Sequence, residues 1–233
     1  MVLIEVFGYF FAVLIGIILG LIGGGGSILA VPIFTYLFMI DEKLATGYSL
    51  FVVGCSALVG GFKQHQKGTV DFRIALIFGL PAILSVTAVR LFLIPIMPEE
   101  LFAIGDVVIS RRMGILGGFA VVMIPAALSM FKRPKKNIEK GNLKIVAFNY
   151  PLILIVGILI GSITGLVGAG GGFLIIPALV LFANIDIKTA IGTSLTIVTL
   201  KSLIGFLLGD ALVVNIDWGF LLPFTCLAIF GVF

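Results

Sequence analysis

Long uncharged stretches alternate with short polar segments along the whole chain. A transmembrane helix needs about 20 consecutive apolar residues to cross about 30 Å of hydrocarbon. The pattern therefore predicts an all-α fold, a polytopic transmembrane helical bundle. The uncharged stretches are residues 6–40, 44–62, 74–89, 113–131, 145–185, 189–200, 211–216 and 218–233.

Two of these stretches are too long for one helix, and both contain a glycine run. The stretch 6–40 is broken at Gly23–Gly26, and the stretch 145–185 is broken at Gly170–Gly172. We predict Gly-interrupted helices, each with one full span followed by a segment of about 14 residues, a length that is marginal for crossing a bilayer. Hydropathy leaves open whether that shorter segment is a tilted span, a half-helix or a re-entrant piece.

An internal repeat relates the two parts of the chain that carry the glycine runs. Residues 14–50 align with residues 159–195 at a constant offset of 145, and 18 of the 37 aligned positions are identical. The matched positions include glycines, prolines and serines, which a shared apolar composition alone would not align. The sequence therefore predicts two homologous halves.

The repeat divides the chain into three parts. We assign residues 1–131 to a first transmembrane repeat, 132–144 to a basic cytoplasmic linker and 145–233 to a second transmembrane repeat. The second repeat lacks a counterpart to the last apolar stretch of the first, and the chain stops within an apolar run. We therefore expect the second repeat to be truncated at its C-terminus.

The distribution of basic residues predicts an orientation. With the N-terminus outside and five segments before the linker, the loops 63–73, 132–144 and 186–189 lie inside and hold ten of the fifteen Lys and Arg residues. An odd number of segments inserts the second half upside down, the inverted-repeat plan common among secondary transporters. Arg111 and Arg112 fall on the outer side, against the rule.

Composition excludes a soluble globule, since 61% of the residues are hydrophobic and 11% are charged. The net charge of +4 comes from short loops between apolar stretches, so topology explains it and we expect no nucleic-acid partner. The lipid bilayer is the expected partner, and a multi-pass protein of the cell membrane is the expected localisation. Cys55 and Cys226 lie in apolar stretches without metal or redox spacing and are predicted to be structural.

The glycine runs are candidate anion sites. Irregular backbone at membrane depth is tolerated only where it lines a protein cavity. Free amides in a glycine turn, together with the start of the next helix, bind anions, and two copies would bring two such ends to one site. Close helix packing through small residues is the alternative. The candidate substrate-binding residues here are Gly23, Gly24, Gly25, Gly26, Ser27, Gly168, Gly170, Gly171 and Gly172.

Hydroxyl groups and one cation extend the candidate site. The repeated A-x-G-x-S-L element places Ser49 and Ser194 at the start of apolar helices, with Thr193 beside Ser194. These hydroxyls either bind substrate or hydrogen-bond to carbonyls and neighbouring helices. Lys201 lies within an apolar segment and is a candidate counter-charge, although a lysine near a span end can extend to the interface.

Three other charged residues have simpler predicted roles. Arg90, near the outer end of its apolar stretch, is expected to extend its side chain to the membrane surface rather than bind substrate. Asp71 and Asp217 are matched across the repeat once one inserted residue is allowed, and each precedes an apolar stretch. We predict that both cap the N-terminus of a helix.

At the glycine run, the A-x-G-x-S-L element and the duplicated layout, the sequence resembles the sulfite exporter TauE/SafE family, whose members are described as probable membrane transporter proteins. The resemblance covers nearly the whole chain. It implies a polytopic protein of a bacterial inner membrane or an archaeal plasma membrane. It also implies movement of sulfite, sulfoacetate or a related organosulfur anion.

The leading hypothesis is a secondary transporter that exports a small sulfur-containing anion by alternating access. A passive anion channel is the alternative, and a membrane-embedded enzyme is less favoured because the sequence offers no catalytic constellation. A scaffold that uses its glycines only for packing is a further alternative. We expect no cofactor and no metal site, and we leave open a coupling proton or sodium ion and a homo-oligomeric state.

Overall fold

The protein is described by a computed structural model. The described residues are 2–24, 26–98, 100–104, 107–110, 150–167, 171–183, 185–211 and 216–233, with isolated positions between 113 and 124. The linker predicted at 132–144 lies outside the described residues, so its cytoplasmic position stays a prediction.

Helices make up most of the described part of the first repeat. Helix α1 spans Val2–Ile22. Helix α2 spans Ser27–Pro32 and continues as a π-helical turn to Leu37. Helix α3 spans Glu42–Gln66. Helix α4 spans Phe72–Ala88 and continues through a π-helical turn and one further turn to Ile96.

The second repeat has helices at matching positions. Helix α5 spans Tyr150–Val167, α6 spans Gly172–Phe182, and α7 spans Ile187–Gly205 with a π-helical turn that ends at Asp210. Helix α8 spans Trp218–Val232. Helices α6 and α7 begin 145 residues after α2 and α3, and α8 begins 146 residues after α4. The offsets found in the sequence therefore hold for where the helices begin.

Aspartates cap the starts of four of these helices. The carboxylate of Asp71 accepts hydrogen bonds from the amides of Arg73 and Ile74, and that of Asp217 accepts one from the amide of Phe220. Both predicted N-caps are confirmed. Asp41 and Asp186 cap α3 and α7 in the same way.

The hydrogen bonds that cap α7 also lower the pKa of the capping carboxylate, Asp186. The hydroxyl of Thr189 donates to the carboxylate of Asp186 over 2.7 Å. This hydrogen bond, with the amides of the first turn, stabilises the ionised carboxylate. It holds the pKa of Asp186 below its usual value.

A short β-hairpin modifies the predicted all-α fold. Strands β1, Glu100–Ile104, and β2, Val107–Ser110, pair antiparallel after α4. The apolar pattern of the sequence predicts helices and no strand here. Apart from this hairpin, the regular structure of the described residues is helical, and the helical class is confirmed.

Three described helices are long and apolar enough to cross a membrane: Glu42–Gln66, Phe72–Ile96 and Ile187–Asp210. Four shorter apolar helices accompany them: Phe7–Ile22, Pro151–Val167, Gly172–Phe182 and Trp218–Val232. The uncharged stretch 189–200 continues as helix through the buried Lys201 to Asp210, in agreement with the prediction that Lys201 lies within an apolar segment.

Helices α3 and α7 form the centre of the bundle and run antiparallel. Both are largely buried, whereas α4 has a smaller buried share. Gly54 lies against Leu203, and Gly61 lies against Leu195. Residue numbers fall along α7 as they rise along α3, so the two equivalent helices of the repeat point in opposite directions.

The outer helices pack in reciprocal pairs. Helix α1 packs on α8, and its counterpart α5 packs on α4. Gly16 lies against Ala228, and the equivalent Gly161 lies against Ala82. Each glycine allows two backbones to approach closely, as small residues do between transmembrane helices. Each half of the chain thus buries its first helix against the last described helix of the other half.

Candidate functional site

The two glycine turns touch each other inside the bundle. The first turn follows α1 and contains Gly23 with φ 74° and Gly24 with φ 152°; the second contains Gly171 with φ 65°, directly before α6. A Cβ atom built on Gly172 would lie 2.5 Å from the Cα of Gly24. Side chains are therefore excluded at this contact, and positive φ values favour glycine at three of the positions.

The contact lies at the middle of the membrane-length helix Ile187–Asp210. A Cβ built on Gly172 would meet the Cγ2 of Val198 at 3.0 Å, and Val198 is the twelfth of the 24 residues of that helix. The start of α6 therefore lies at the mid-depth of a helix that is long enough to span the bilayer. The first amides of a helix lack intrahelical acceptors and carry the positive end of its dipole.

A buried cation lies next to this helix start. Lys201 is 1% exposed, and its Nζ donates to the hydroxyl of Thr164 on α5 over 2.8 Å. A Cβ built on Gly171 would lie 2.7 Å from the same Nζ. Among the described residues, the ion pair joins Arg90 to Asp210, and no carboxylate pairs with the ammonium of Lys201. The ammonium keeps further donors for a ligand.

The predicted hydroxyls have different surroundings. Ser194 is buried and donates to the carbonyl of Gly23 over 2.7 Å, which joins α7 to the first glycine turn. Its counterpart Ser49 is also buried, but its Oγ has no hydrogen-bond partner among the described residues. Ser56, the counterpart of Lys201, is likewise buried and unpaired there.

Thr193 has a structural contact. Its hydroxyl accepts a hydrogen bond from the amide of Asp71 over 3.0 Å, at the start of α4. The position equivalent to Thr193 in the first repeat is Tyr48, whose hydroxyl accepts from the amide of Asp217 over 2.7 Å at the start of α8. The two bonds are related by the repeat and tie the central helices to the ends of the outer ones.

The remaining predicted glycines divide into two groups. Gly26 precedes α2, and a Cβ there would collide with the carbonyl of Ile15 and with Leu19, so this glycine serves close packing. Gly25, Gly168 and Gly170 lie outside the described residues. Ser27 begins α2, and its backbone alone is described.

Arg90 was predicted wrongly. Its side chain is fully buried, and its Nη1 lies 2.7 Å from one carboxylate oxygen of Asp210 and 2.8 Å from the other. The arginine does not extend to the membrane surface, because its guanidinium pairs inside the bundle with Asp210 at the end of α7. Asp210 and Thr164 were not singled out in the sequence. Opposite charges inside two apolar segments were the signal that could have identified the ion pair.

A model of the sulfite exporter TauE/SafE family matches residues 9–233, which is nearly all of the chain. The chain belongs to this family. The predicted resemblance is therefore confirmed, and the described geometry is that of a TauE/SafE family member.

Relatives of this TauE/SafE family member carry names of the same kind. A probable membrane transporter protein of Xylella fastidiosa (strain 9a5c) is 32% identical over 78% of this chain and 65% of its own length. Another, from Methanocaldococcus jannaschii, is 26% identical over 84% of this chain and 70% of its own length. The Bacillus subtilis protein YdhB, also named a probable membrane transporter protein, is 27% identical over 79% and 70%.

The chain thus spans slightly less than two thirds of the length of the Xylella relative. No solved structure matches it significantly. The names agree with the predicted class, a membrane transporter family rather than an enzyme family.

Proposed function

We propose that this protein is a multi-pass secondary transporter of the cell membrane that exports a small sulfur-containing anion, such as sulfite or sulfoacetate, by alternating access. The observation that carries the proposal is the buried ammonium of Lys201 beside the start of α6, where the two glycine turns meet. A cation and a helix N-terminus both favour a negative charge. Sulfite enters the proposal through the family, whose description names a sulfite exporter, and sulfoacetate enters as a related organosulfur anion.

The candidate site combines backbone, hydroxyl and ammonium donors. Gly171 and Gly172 supply the helix start, and Lys201 supplies the charge. Of the repeated pair, Ser49 is the hydroxyl that stays unpaired among the described residues, while Ser194 is bonded to Gly23. Since Gly47 meets Asp210 and Gly54 meets Leu203, Ser49 lies about two helical turns from Lys201, toward Asp210. Thr193 contributes by holding α4 in place.

The same proposal includes inverted repeats. The antiparallel course of α3 and α7 supports it, because these helices are equivalent in the repeat and both are long enough to span the membrane. Alternating access in inverted repeats follows when the two halves exchange conformations around a central site. The glycine turns are the elements that join each first helix to a short helix at that site.

The two halves differ at one position of the site. Lys201 in the second half corresponds to Ser56 in the first. A single ammonium at the centre neutralises one negative charge of a bound group. We therefore propose a monoanionic group as the part of the substrate that binds at Lys201.

Flux into proteoliposomes tests the proposal. We expect the wild-type protein to move sulfite or sulfoacetate. Lys201→Ala should lower the flux about 30-fold, since a hydrogen bond to a charged group is worth about 2 kcal/mol. Lys188→Ala is the matched control, because Lys188 is an exposed lysine on the same helix and should leave the flux unchanged.

Failure of sulfite, sulfoacetate and thiosulfate to move or compete with the wild-type protein would contradict the assignment. Imposed proton and sodium gradients identify the coupling ion. Flux that responds to neither gradient would indicate a passive anion channel instead.

A further inference from the structure

The buried arginine of α4 has donors that its ion pair does not use. Asp210 receives both of its hydrogen bonds from Nη1 of Arg90. The Nε and Nη2 atoms of Arg90 are buried and have no hydrogen-bond partner among the described residues. These two atoms form one edge of the planar guanidinium, and their N–H groups point in parallel.

Unused donors of this kind are unfavourable unless something binds them. A buried donor without an acceptor loses its hydration without compensation. A lysine could also have formed an ion pair with Asp210, because its ammonium is a point charge. The free edge of Arg90 instead has the geometry that pairs with two oxygens of one oxyanion.

A hydroxyl lies on the same face of α4 as Arg90. Thr87 precedes Arg90 by three residues in α4, which places both side chains on one helical face. The Oγ1 of Thr87 is buried and also has no partner among the described residues. The arginine edge and the hydroxyl are therefore buried donors without a partner among the described residues, on one face of α4.

The neighbouring helices leave room for the arginine. A Cβ atom built on Gly209, near the end of α7, would lie 2.6 Å from the Cβ of Arg90. One turn earlier, Gly205 lies against Val86 of α4. Helices α4 and α7 therefore run parallel here. Asp210 in turn lies against Gly47 at the start of α3, so the pair sits where three helices meet.

The pair lies away from the central site along the same helix. Lys201 and Asp210 are nine residues apart on α7, which corresponds to about 13 Å of helix length. The pair is near the end of α7 opposite to Asp186, the end that the distribution of basic loops places outside. An anion that leaves Lys201 toward that side would pass the level of Arg90.

We propose that Arg90 and Thr87 form a second anion-binding site on the outer part of the transport route, where the Nε and Nη2 edge of Arg90 binds two oxygens of a sulfonate, sulfite or carboxylate group. The site rests on the proposed function for its role in transport. Asp210 holds the guanidinium in place through Nη1 and leaves the binding edge free. The pair carries no net charge, so a bound anion can be released.

Anion-dependent thermal stability of the purified protein in detergent tests this site separately from transport. The background is Lys201→Ala, which removes the cation of the central site. Sodium sulfoacetate is the probe, and sodium chloride at equal ionic strength controls for screening. We expect sulfoacetate to stabilise the Lys201→Ala protein. Adding Arg90→Lys should raise the half-maximal concentration at least about tenfold, because lysine keeps the pair with Asp210 but lacks the two-donor edge.

Arg73→Lys is the matched control, since Arg73 is an exposed arginine on the same helix and its replacement should change nothing. A protein with Arg90→Lys that binds sulfoacetate as tightly as the Lys201→Ala parent would overturn the site and leave Arg90 with the ion pair alone. No stabilisation of the parent by sulfoacetate would overturn it as well. Stabilisation that depends on Arg90 but comes from phosphatidylglycerol and not from sulfoacetate would assign the edge to a lipid and also overturn it.

If Arg90→Lys does not fold, Thr87→Val decides in its place, because it removes the neighbouring hydroxyl without touching the pair. We then expect about a threefold weaker response to sulfoacetate, as for one neutral hydrogen bond, and an unchanged response would contradict the site. Absent flux in the wild-type protein, with Arg90-dependent stabilisation intact, would refute the transport proposal while leaving the oxyanion site supported.

Discussion

A single hydroxyl joins the second repeat to the first glycine turn. The Oγ of Ser194 donates to the carbonyl of Gly23, 171 residues away, and both groups are buried. Ser194→Ala leaves that carbonyl without its donor. We expect a loss of about 1–3 kcal/mol, because a buried acceptor without a partner keeps its full desolvation cost. A lower thermal unfolding midpoint in detergent is the measurement.

Thr199→Val controls for the loss of a hydroxyl from the same helix. The hydroxyl of Thr199 donates only to the carbonyl of Leu195 within α7, so its removal should have a smaller effect. Equal midpoints for the two variants would mean that the bond between the halves contributes nothing measurable.

At this scale, the sequence could not assign roles to the repeated serines. Ser49 and Ser194 occupy the same place in the A-x-G-x-S-L element, and the sequence predicts the same chemistry for both. Their partners differ because packing between the halves brings the carbonyl of Gly23 to Ser194, whereas Ser49 stays unpaired among the described residues. Such partners depend on tertiary contacts that no local pattern encodes.

At the scale of the elements, the two glycine turns act as one contact. Gly24→Ala places a methyl group against Gly172 and also forces alanine into a φ of 152°. We expect a clear loss of thermal stability and of sulfoacetate flux, because both turns must shift to make room for the methyl group. The unfolding midpoint and proteoliposome flux measure the two effects.

Gly68→Ala separates backbone strain from the collision. Gly68 has a φ of 68° in the loop after α3, and nothing lies within 4 Å of where its Cβ would be. Its replacement should cost only about 1 kcal/mol of backbone strain. If Gly24→Ala lowers the unfolding midpoint no more than Gly68→Ala does, the two glycine turns do not make the close contact.

The starts of the elements were more predictable than their contacts. Asp71 and Asp217 define helix starts through hydrogen bonds within one turn, so the sequence located them. The pair of Arg90 and Asp210 joins positions 120 residues apart and exists only because α4 and α7 pack side by side. The hairpin at 100–110 follows no apolar periodicity long enough to be recognised.

At the scale of the whole molecule, the antiparallel course of α3 and α7 fixes which loops share a side. The loop that follows α3 contains Gly68, and Lys188 lies in the first turn of α7. Since the end of α3 lies beside the start of α7, both positions should face the same side of the membrane. Met39, in the loop before α3, is 81% exposed and should face the other side.

Labelling of single cysteines in intact cells tests this arrangement, after Cys55 and Cys226 are replaced by alanine. We expect an impermeant maleimide added outside to label Met39→Cys, and to reach Gly68→Cys and Lys188→Cys only after the cells are opened, since the basic loops lie inside. The opposite labelling of all three would reverse the orientation but keep the inverted halves. Labelling of Gly68→Cys and Lys188→Cys from opposite sides would contradict the inverted repeat, and with it the central site that the two halves share.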